Sequence, residues 1–448
     1  MPEYFLKYES SKPFLLKITT WVIRIIVGGL FIVSGFTKGI DPWGTIFKFN
    51  EYIGAWGYEV WDSLVLVGVF ILCIAEFITG FCILTGCFRR TSSIAAILIM
   101  AFMLPLTLWL AIKNPISDCG CFGDAIKLSN WETFYKNIIL TLGTLWLLFF
   151  NKKVSCLINP YLQWIGLLAA GIYLFAIAWI GYYYQPLIDF RDYKIGTRIV
   201  DDEEDISEDE DDFLRFKYRK NGIEKIFSIT DELPDESEGW EFVERFYEFP
   251  DNGEGFAPKV SMTPANEKGL RFFSENGRED LTDEVIGNGR QLLLMIPNLT
   301  EVSAAKTWKI NSFFEWCNKN DIEMLATVGG NPYEIDQWKN ISLAEYPIYT
   351  SDDTAIEEVV RGNPGIVYLE DGIIKWKSSL KSINIDDFQK ETYSNDPMSF
   401  ARNNNRILWN LTWIFLAIEL LLILFSFFPT LLSKLIKRGK RNEQTNAC

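Results

Sequence analysis

Asp118-Cys119-Gly120-Cys121-Phe122-Gly123-Asp124 stands between two apolar segments, roughly residues 92–112 and 134–151, each long enough to cross a bilayer. Two thiols separated by one glycine at the edge of a membrane point to redox chemistry or to a small permanent loop bond. The chemistry open to them depends on which face of the membrane they occupy. The remaining apolar runs and the charges that flank them predict that face.

Six runs of about 20 apolar residues occur, at roughly 18–37, 63–86, 92–112, 134–151, 160–183 and 407–431. The fourth is the shortest, with room to begin a turn earlier. The first does not read as a cleaved signal peptide, because Arg24 interrupts it and no small-residue cleavage site follows. Six spans put both termini on one side. Lys7, Lys12 and Lys17, then Arg89 and Arg90, then Lys152 and Lys153, then Lys434, Lys437, Arg438, Lys440 and Arg441 all fall on that side. Positive charge marks the cytoplasmic face, whereas the opposite loops carry Asp41, Glu51, Glu59, Asp62, Asp118 and Asp124. The expectation is a multi-pass protein of the inner (cytoplasmic) membrane with cytoplasmic termini. The CxC loop and residues 184–406 are then periplasmic.

The net charge of −15 is concentrated: residues 201–212 hold ten acids. Like charges at that density repel and read as a solvated linker; a calcium loop would need glycine and ligand spacing that the run lacks. The acidic exterior opposes nucleic-acid binding. The chain has no histidine, and two thiols alone do not make a zinc site, so no metal is expected.

The first span reads Arg24-Ile-Ile-Val-Gly-Gly-Leu-Phe-Ile-Val-Ser-Gly-Phe-Thr-Lys38. The second reads Ala75-Glu76-Phe-Ile-Thr-Gly80-Phe-Cys-Ile-Leu-Thr-Gly86, followed by Arg89-Arg90, and the third ends in the CxC loop. As a set these segments resemble the DoxX/MauE family of four-helix integral membrane proteins, over about residues 18–151. The resemblance implies envelope redox work. MauE-type members support maturation of a disulfide-rich periplasmic enzyme, and DoxX-type members associate with quinone-linked sulfur oxidation, which makes a quinone the candidate cofactor. The added fifth span, exterior region and sixth span resemble an architecture common in Bacteroidetes, which implies no particular activity.

Read from the residues themselves, Glu76 lies near the middle of its span, where an ionised carboxylate is expensive unless paired. Arg24, Lys38 and the hydroxyl of Ser34 are its candidate partners. It is either a proton relay or quinone-site group, or a neutral acid hydrogen-bonded between helices. Gly28, Gly29, Gly35, Gly80 and Gly86 read as close helix packing. A disulfide between Cys119 and Cys121 closes a very small ring and is strained and easily reduced, with Gly120 supplying the backbone freedom. Redox exchange, a structural loop bond and reduced thiols packing a turn all remain open. Cys73, Cys82 and Cys87 read as small hydrophobes in the second span, Cys156 and Cys448 lie on the inner side, and Cys317 stands alone in the exterior domain.

Residues 187–270 show period-two alternation around Phe213 and Trp240, the signature of short strands. Further on, Gln291–Ile296 and Ile322–Val328 read as buried strands, and residues 304–318 as a helix packed on a sheet. Asp352 or Asp353 starts a helix running through Arg361, and Asn363-Pro364 precedes the strand from Gly365 to Leu369. Asp371-Gly372 then turns into the strand Ile373–Trp376. This order resembles a thioredoxin-like fold, in which Pro364 corresponds to the family's proline, cis in a tight turn. Where that family places CxxC this chain has Pro297-Asn298-Leu299-Thr300, so no thiol can attack a disulfide there. Binding of an extended partner segment beside Asn363 and Pro364 is the expected role, with a purely structural role as the alternative.

The expected organisation is a four-span domain with the CxC loop (1–155), a fifth span (156–186), an acidic linker and small β region (187–270), a thioredoxin-like domain without redox cysteines (271–403), and a sixth span with a basic tail (404–448). The fold class is thus a membrane α-helical bundle with an α/β soluble domain. Two functions fit it: an accessory of envelope thiol/disulfide redox or maturation, with Cys119, Cys121 and Glu76 as reacting groups and a periplasmic protein client, or a non-enzymatic scaffold or assembly factor. A transporter has less support, because paired interrupted helices are absent and Pro105 alone makes no pathway.

Overall fold

The computed structural model describes residues 3–445 apart from 59, 115–119, 127, 152–155, 201–213, 221–222, 229–240, 250–258, 262–268, 276–278, 288, 304–305, 331 and 384–396. Cys119, Asp118, Glu59, Lys152, Lys153, Cys448 and the acidic run 201–212 lie outside the described residues, as do the side chains of Lys7, Lys12 and the basic C-terminal cluster. Among the described residues, six helices are long and apolar enough to cross a membrane: Phe14–Ile40, Ser63–Thr85, Arg89–Lys113, Asn130–Phe150, Gln163–Tyr183 and Asn404–Phe427. The chain is a multi-pass helical membrane protein with an α/β module in its C-terminal part. The fourth span does start a turn early, because Ser129 and Glu132 form a reciprocal capping box that fixes its first turn.

The chain divides into two compact units, one of residues 1–194, 360–365 and 376–448, the other of residues 195–359 and 366–375. In the first unit, α1 (Glu3–Ile40), α3 (Asp62–Thr85), α4 (Arg89–Lys113), α5 (Asn130–Phe150) and α6 (Gln163–Tyr183) supply the spans, and α2 (Pro42–Ala55) links the first two. The link, expected as a loop, is helical. Asp41 caps α2 by accepting from the Gly44 amide at 3.0 Å, and Pro42 sits at the first helical position, a start signal available from sequence alone.

Helices α1 and α3 approach closely where glycines remove the side chain. A Cβ on Gly35 would lie 2.6 Å from the Phe77 amide nitrogen, and one on Gly80 would lie 2.6 Å from that of Ile32. Gly29, by contrast, faces open space. Gly86 has another task, since it ends α3 in the left-handed region with its amide bonded to the Cys82 carbonyl. Arg24 does not reach Glu76. It donates to the Ile83 and Leu84 carbonyls at 2.9 and 3.2 Å, satisfying acceptors that the end of α3 leaves open and meeting its negative dipole end. The Trp21 ring covers the guanidinium at 4.6 Å.

The segment Val360–Gly365 belongs to the membrane unit. There Arg361 pairs with Asp41 at 2.8 Å and with Asp124 at 2.5 Å, and its backbone exchanges hydrogen bonds with the Gln185 amide. Desolvation pushes the Arg361 pKa down, but the two carboxylates outweigh it and the net direction is up.

In the second unit, β1 (Leu214–Lys220), β2 (Ile223–Ser228), β3 (Glu241–Phe249) and β4 (Lys259–Ser261) form an antiparallel sheet in the order β2-β1-β3-β4. After the short α7 (Thr282–Val285) come β5 (Arg290–Ile296), α8 (Thr307–Lys319), β6 (Glu323–Val328), α9 (Pro332–Ser342), β7 (Ile348–Thr350), α10 (Asp353–Val359), β8 (Gly365–Glu370) and β9 (Ile373–Ser379). Their sheet runs β7-β6-β5-β8-β9, with β5, β6 and β7 parallel. Every residue of β5 after Arg290 is buried, as a strand covered on both faces requires. Helix α8 turns Ile310, Phe313 and Cys317 inward. The helix expected to run through Arg361 stops at Val359, and the Asn363–Pro364 bond is cis, as its place before β8 suggested. The last helix, α11 (Asn404–Thr445), stacks Phe415 on Tyr173 of α6 with centroids 4.5 Å apart.

Replacing Arg361 by alanine would leave Asp41 buried without its counter-charge. The expected loss of stability is about 3–5 kcal/mol, read as a lower thermal midpoint of the detergent-solubilised chain. Arg361→Lys restores charge without the two-armed geometry, and is expected to recover only part of it.

Candidate functional site

The site starts from three side chains on two helices. Ser34 and Lys38 lie one turn apart on α1, so they share a face, and Glu76 sits in the middle of α3. The ammonium of Lys38 donates to both oxygens of Glu76, at 2.8 and 2.7 Å. Their side chains are only 5% and 4% exposed. Lys38 also donates to the Ser34 hydroxyl at 3.0 Å. Of the partners expected for Glu76, Lys38 and Ser34 are present and Arg24 is engaged elsewhere.

Ser34 links this ion pair to the CxC loop. Its Oγ lies 2.9 Å from Glu76 Oε2 and 2.8 Å from the Cys121 carbonyl oxygen. A hydroxyl carries one proton, so Ser34 donates to one of these acceptors at a time while it accepts from Lys38. The loop backbone and the carboxylate therefore compete for the same donor. Loop geometry follows from its glycines: Gly120 has φ 62° and Gly123 φ 55°, a region other residues adopt at a cost. The Gly123 amide bonds back to the Gly120 carbonyl at 3.0 Å. Cys121 is half-buried.

A cavity of about 40 Å³ opens beside the ion pair, lined by Ser34, Lys38, Glu76, Cys121, Phe122 and Asn137 among others. At roughly 10–15 Å³ per water, it has room for a few water molecules. Lys136 places its ammonium 4.2 Å from the centroid of the Phe122 ring. Asn137 donates to the Thr107 hydroxyl at 3.3 Å. Lys136 and Asn137 were missed in sequence, although two adjacent polar residues near the start of an apolar span are a readable signal. No group of three or more potential metal ligands occurs among the described residues.

Pro364 is buried and Asn363 half-buried, and the Pro364 carbonyl accepts from the Leu380 amide at 3.1 Å. At the position where a CxxC would stand, Asn298 caps a short turn by accepting from the Thr300 amide at 3.0 Å. Cys317 has no exposed surface, and burial pushes its thiol up to about 12.

The fold and site thus define a helical membrane protein that keeps a buried ion pair under a cysteine-bearing loop and carries an α/β module. Residues 16–150 match the family described as Methylamine utilisation protein MauE; the likeness covers the first four spans and under a third of the chain. Comparison with curated proteins gives no match. Among solved structures, the mitochondrial 2-Cys peroxiredoxin from Plasmodium falciparum is similar at 15% identity over 32% of this chain and 88% of that one, with a TM-score of 0.19. A score that low carries no argument about the fold.

Two measurements check this description. Glu76→Gln should destabilise the bundle by about 3–5 kcal/mol, because it leaves the buried Lys38 ammonium without its counter-charge, and the double change Lys38→Met with Glu76→Gln should recover most of that loss; thermal unfolding of the solubilised chain gives both numbers. In the native chain Cys317 should resist alkylation by a maleimide that labels it fully in denaturant.

Proposed function

We propose that this protein is an inner-membrane accessory of envelope thiol/disulfide redox or of the maturation of periplasmic proteins, with both termini cytoplasmic and residues 184–406 periplasmic. Cys119 and Cys121 form the reacting pair. A client disulfide accepts two electrons from the two thiols, becoming a dithiol as Cys119 and Cys121 join, or the reverse occurs. The observation that carries the reading is the Ser34 hydroxyl, poised between the Cys121 carbonyl and the Glu76 carboxylate. Through it, a change in loop geometry alters the hydrogen bonding of Glu76, which ties the carboxylate to the state of the loop. The likeness of residues 16–150 to a family named for methylamine utilisation supports the accessory role. The cavity beside Glu76 has room for water, and a quinone is the candidate electron acceptor.

The exterior module is read as a thioredoxin-like domain without CxxC. The central position of β5 between β6 and β8, and a proline just before β8, support that reading. Its sole cysteine, Cys317, is buried and unreactive, so the module binds a client rather than reducing it. Because Pro364 is buried, Asn363 is the member of that pair with surface to offer. A scaffold role is the second reading, favoured by the complete pairing of Glu76 with Lys38 and Ser34, which a purely structural bridge would share.

Changing Cys119 and Cys121 to serine separates the two. Loss of client maturation at normal protein abundance is the expected result, and retained maturation would leave the scaffold. Reporter fusions at residues 120 and 300 are expected to report a periplasmic location; a cytosolic signal from either would remove the basis for the redox role.

A further inference from the structure

At the membrane end reached by the α3–α4 turn and the α5–α6 connection, two cysteines far apart in sequence meet. Cys87 lies in the turn between α3 and α4, and Cys156 in the segment that leads to α6. Their side chains share a hydrogen bond, and both belong to one apolar cluster in which Cys87 is fully buried.

Two further bonds pin the loops together. The Leu157 amide donates to the Thr85 carbonyl at 2.9 Å, and the Phe88 amide donates to Gln163 Oε1 at 3.1 Å. With its oxygen held by Phe88, the Gln163 side chain turns its NH₂ group to the Cys156 sulfur at 3.1 Å. Cys156 Sγ itself lies 3.0 Å from the Ile158 carbonyl oxygen. The facing charged and titratable groups are Arg24 from α1, Cys82 from α3 and Arg89 from α4, with Glu419 of α11 facing Cys82. Two cations beside a hydrogen-bonded sulfur are the setting in which thiolates form.

We propose that Cys87 and Cys156 are a reversible dithiol–disulfide pair that couples this end of the bundle to the redox state of small-molecule disulfides. Cys156, half-buried, is the attacking thiolate, and Cys87 is the resolving thiol. In the first step Cys156 Sγ attacks a small disulfide; the S–S bond of the reagent breaks, a mixed disulfide forms on Cys156, and one thiolate leaves. In the second step Cys87 gives its proton to that thiolate and attacks Cys156 Sγ, expelling the second small thiolate, which takes a proton from water. Two electrons pass from the protein to the small disulfide, and a small oxidant such as oxidised glutathione suffices. The hydrogen bond from Cys87 fits these roles: it draws the Cys156 thiol below its ordinary value against the effect of burial, while Cys87 is pushed up. Disulfides at a cytosolic face are transient and regulatory rather than structural, and the bond would staple the α3–α4 turn to the start of α6.

The test uses the full chain in membrane vesicles, oxidised glutathione as the probe, and peptide mass spectrometry after alkylation. The wild-type chain is expected to yield a Cys87–Cys156 linked peptide that dithiothreitol removes. Cys87→Ser should stop at the Cys156–glutathione mixed disulfide, and Cys156→Ser should leave Cys87 unmodified. Alkylation of Cys156 should be half-maximal at a pH below the ordinary thiol value of about 8.5, and Gln163→Leu should slow it severalfold. A wild-type chain in which Cys156 accumulates glutathione without the linked peptide would overturn the pair, and so would a Cys87 that reacts as fast when Cys156 is serine.

Discussion

The ion pair between Lys38 and Glu76 sets the terms for the bundle. A charge in a hydrocarbon interior is tolerated only when its partner and its remaining hydrogen bonds are supplied by the protein. Here the ammonium of Lys38 is shared by both carboxylate oxygens and the Ser34 hydroxyl. That requirement joins α1 to α3, and the glycines at Gly35 and Gly80 let the two backbones come close enough for short hydrogen bonds to form. Ser34 then extends the network to Cys121, so the loop is tied to a charged pair as well as packed against the apolar Tyr52 and Leu110.

The same physics recurs wherever the membrane unit buries charge. Arg24 spends its donors on the open carbonyls at the end of α3, and Arg361 divides its own between Asp41 and Asp124. Glu419 breaks the pattern: it is buried against Gly166, and neither of its oxygens has a hydrogen-bond partner among the described residues. An ionised carboxylate there would be costly.

Much of this architecture was legible in the chain because the signals are local. A span is a run of apolar residues, and its length is set by the bilayer. The buried strands β5 and β6 show as short continuous apolar runs, and the capping box at Ser129 and Glu132 can be read from spacing. The link helix α2 was missed although Asp41 and Pro42 announce it, because a single short helix between two strong spans is easily taken for a loop. Arg361 was assigned to a helix that ends at Val359, since nothing in its neighbourhood reveals carboxylates that lie hundreds of residues away.

From residue order alone, the number of spans, the acidic concentration at 201–212, the lack of a CxxC at residues 297–300 and the need for Glu76 to find a partner were determined, because each depends on composition or spacing within a few turns of chain. Only the tertiary structure decided which partner Glu76 takes, that Arg24 caps a helix instead, and that Cys87 and Cys156 meet. Those outcomes depend on which helix faces pack together, and local sequence does not encode the geometry by which a side chain on one span reaches an atom on another.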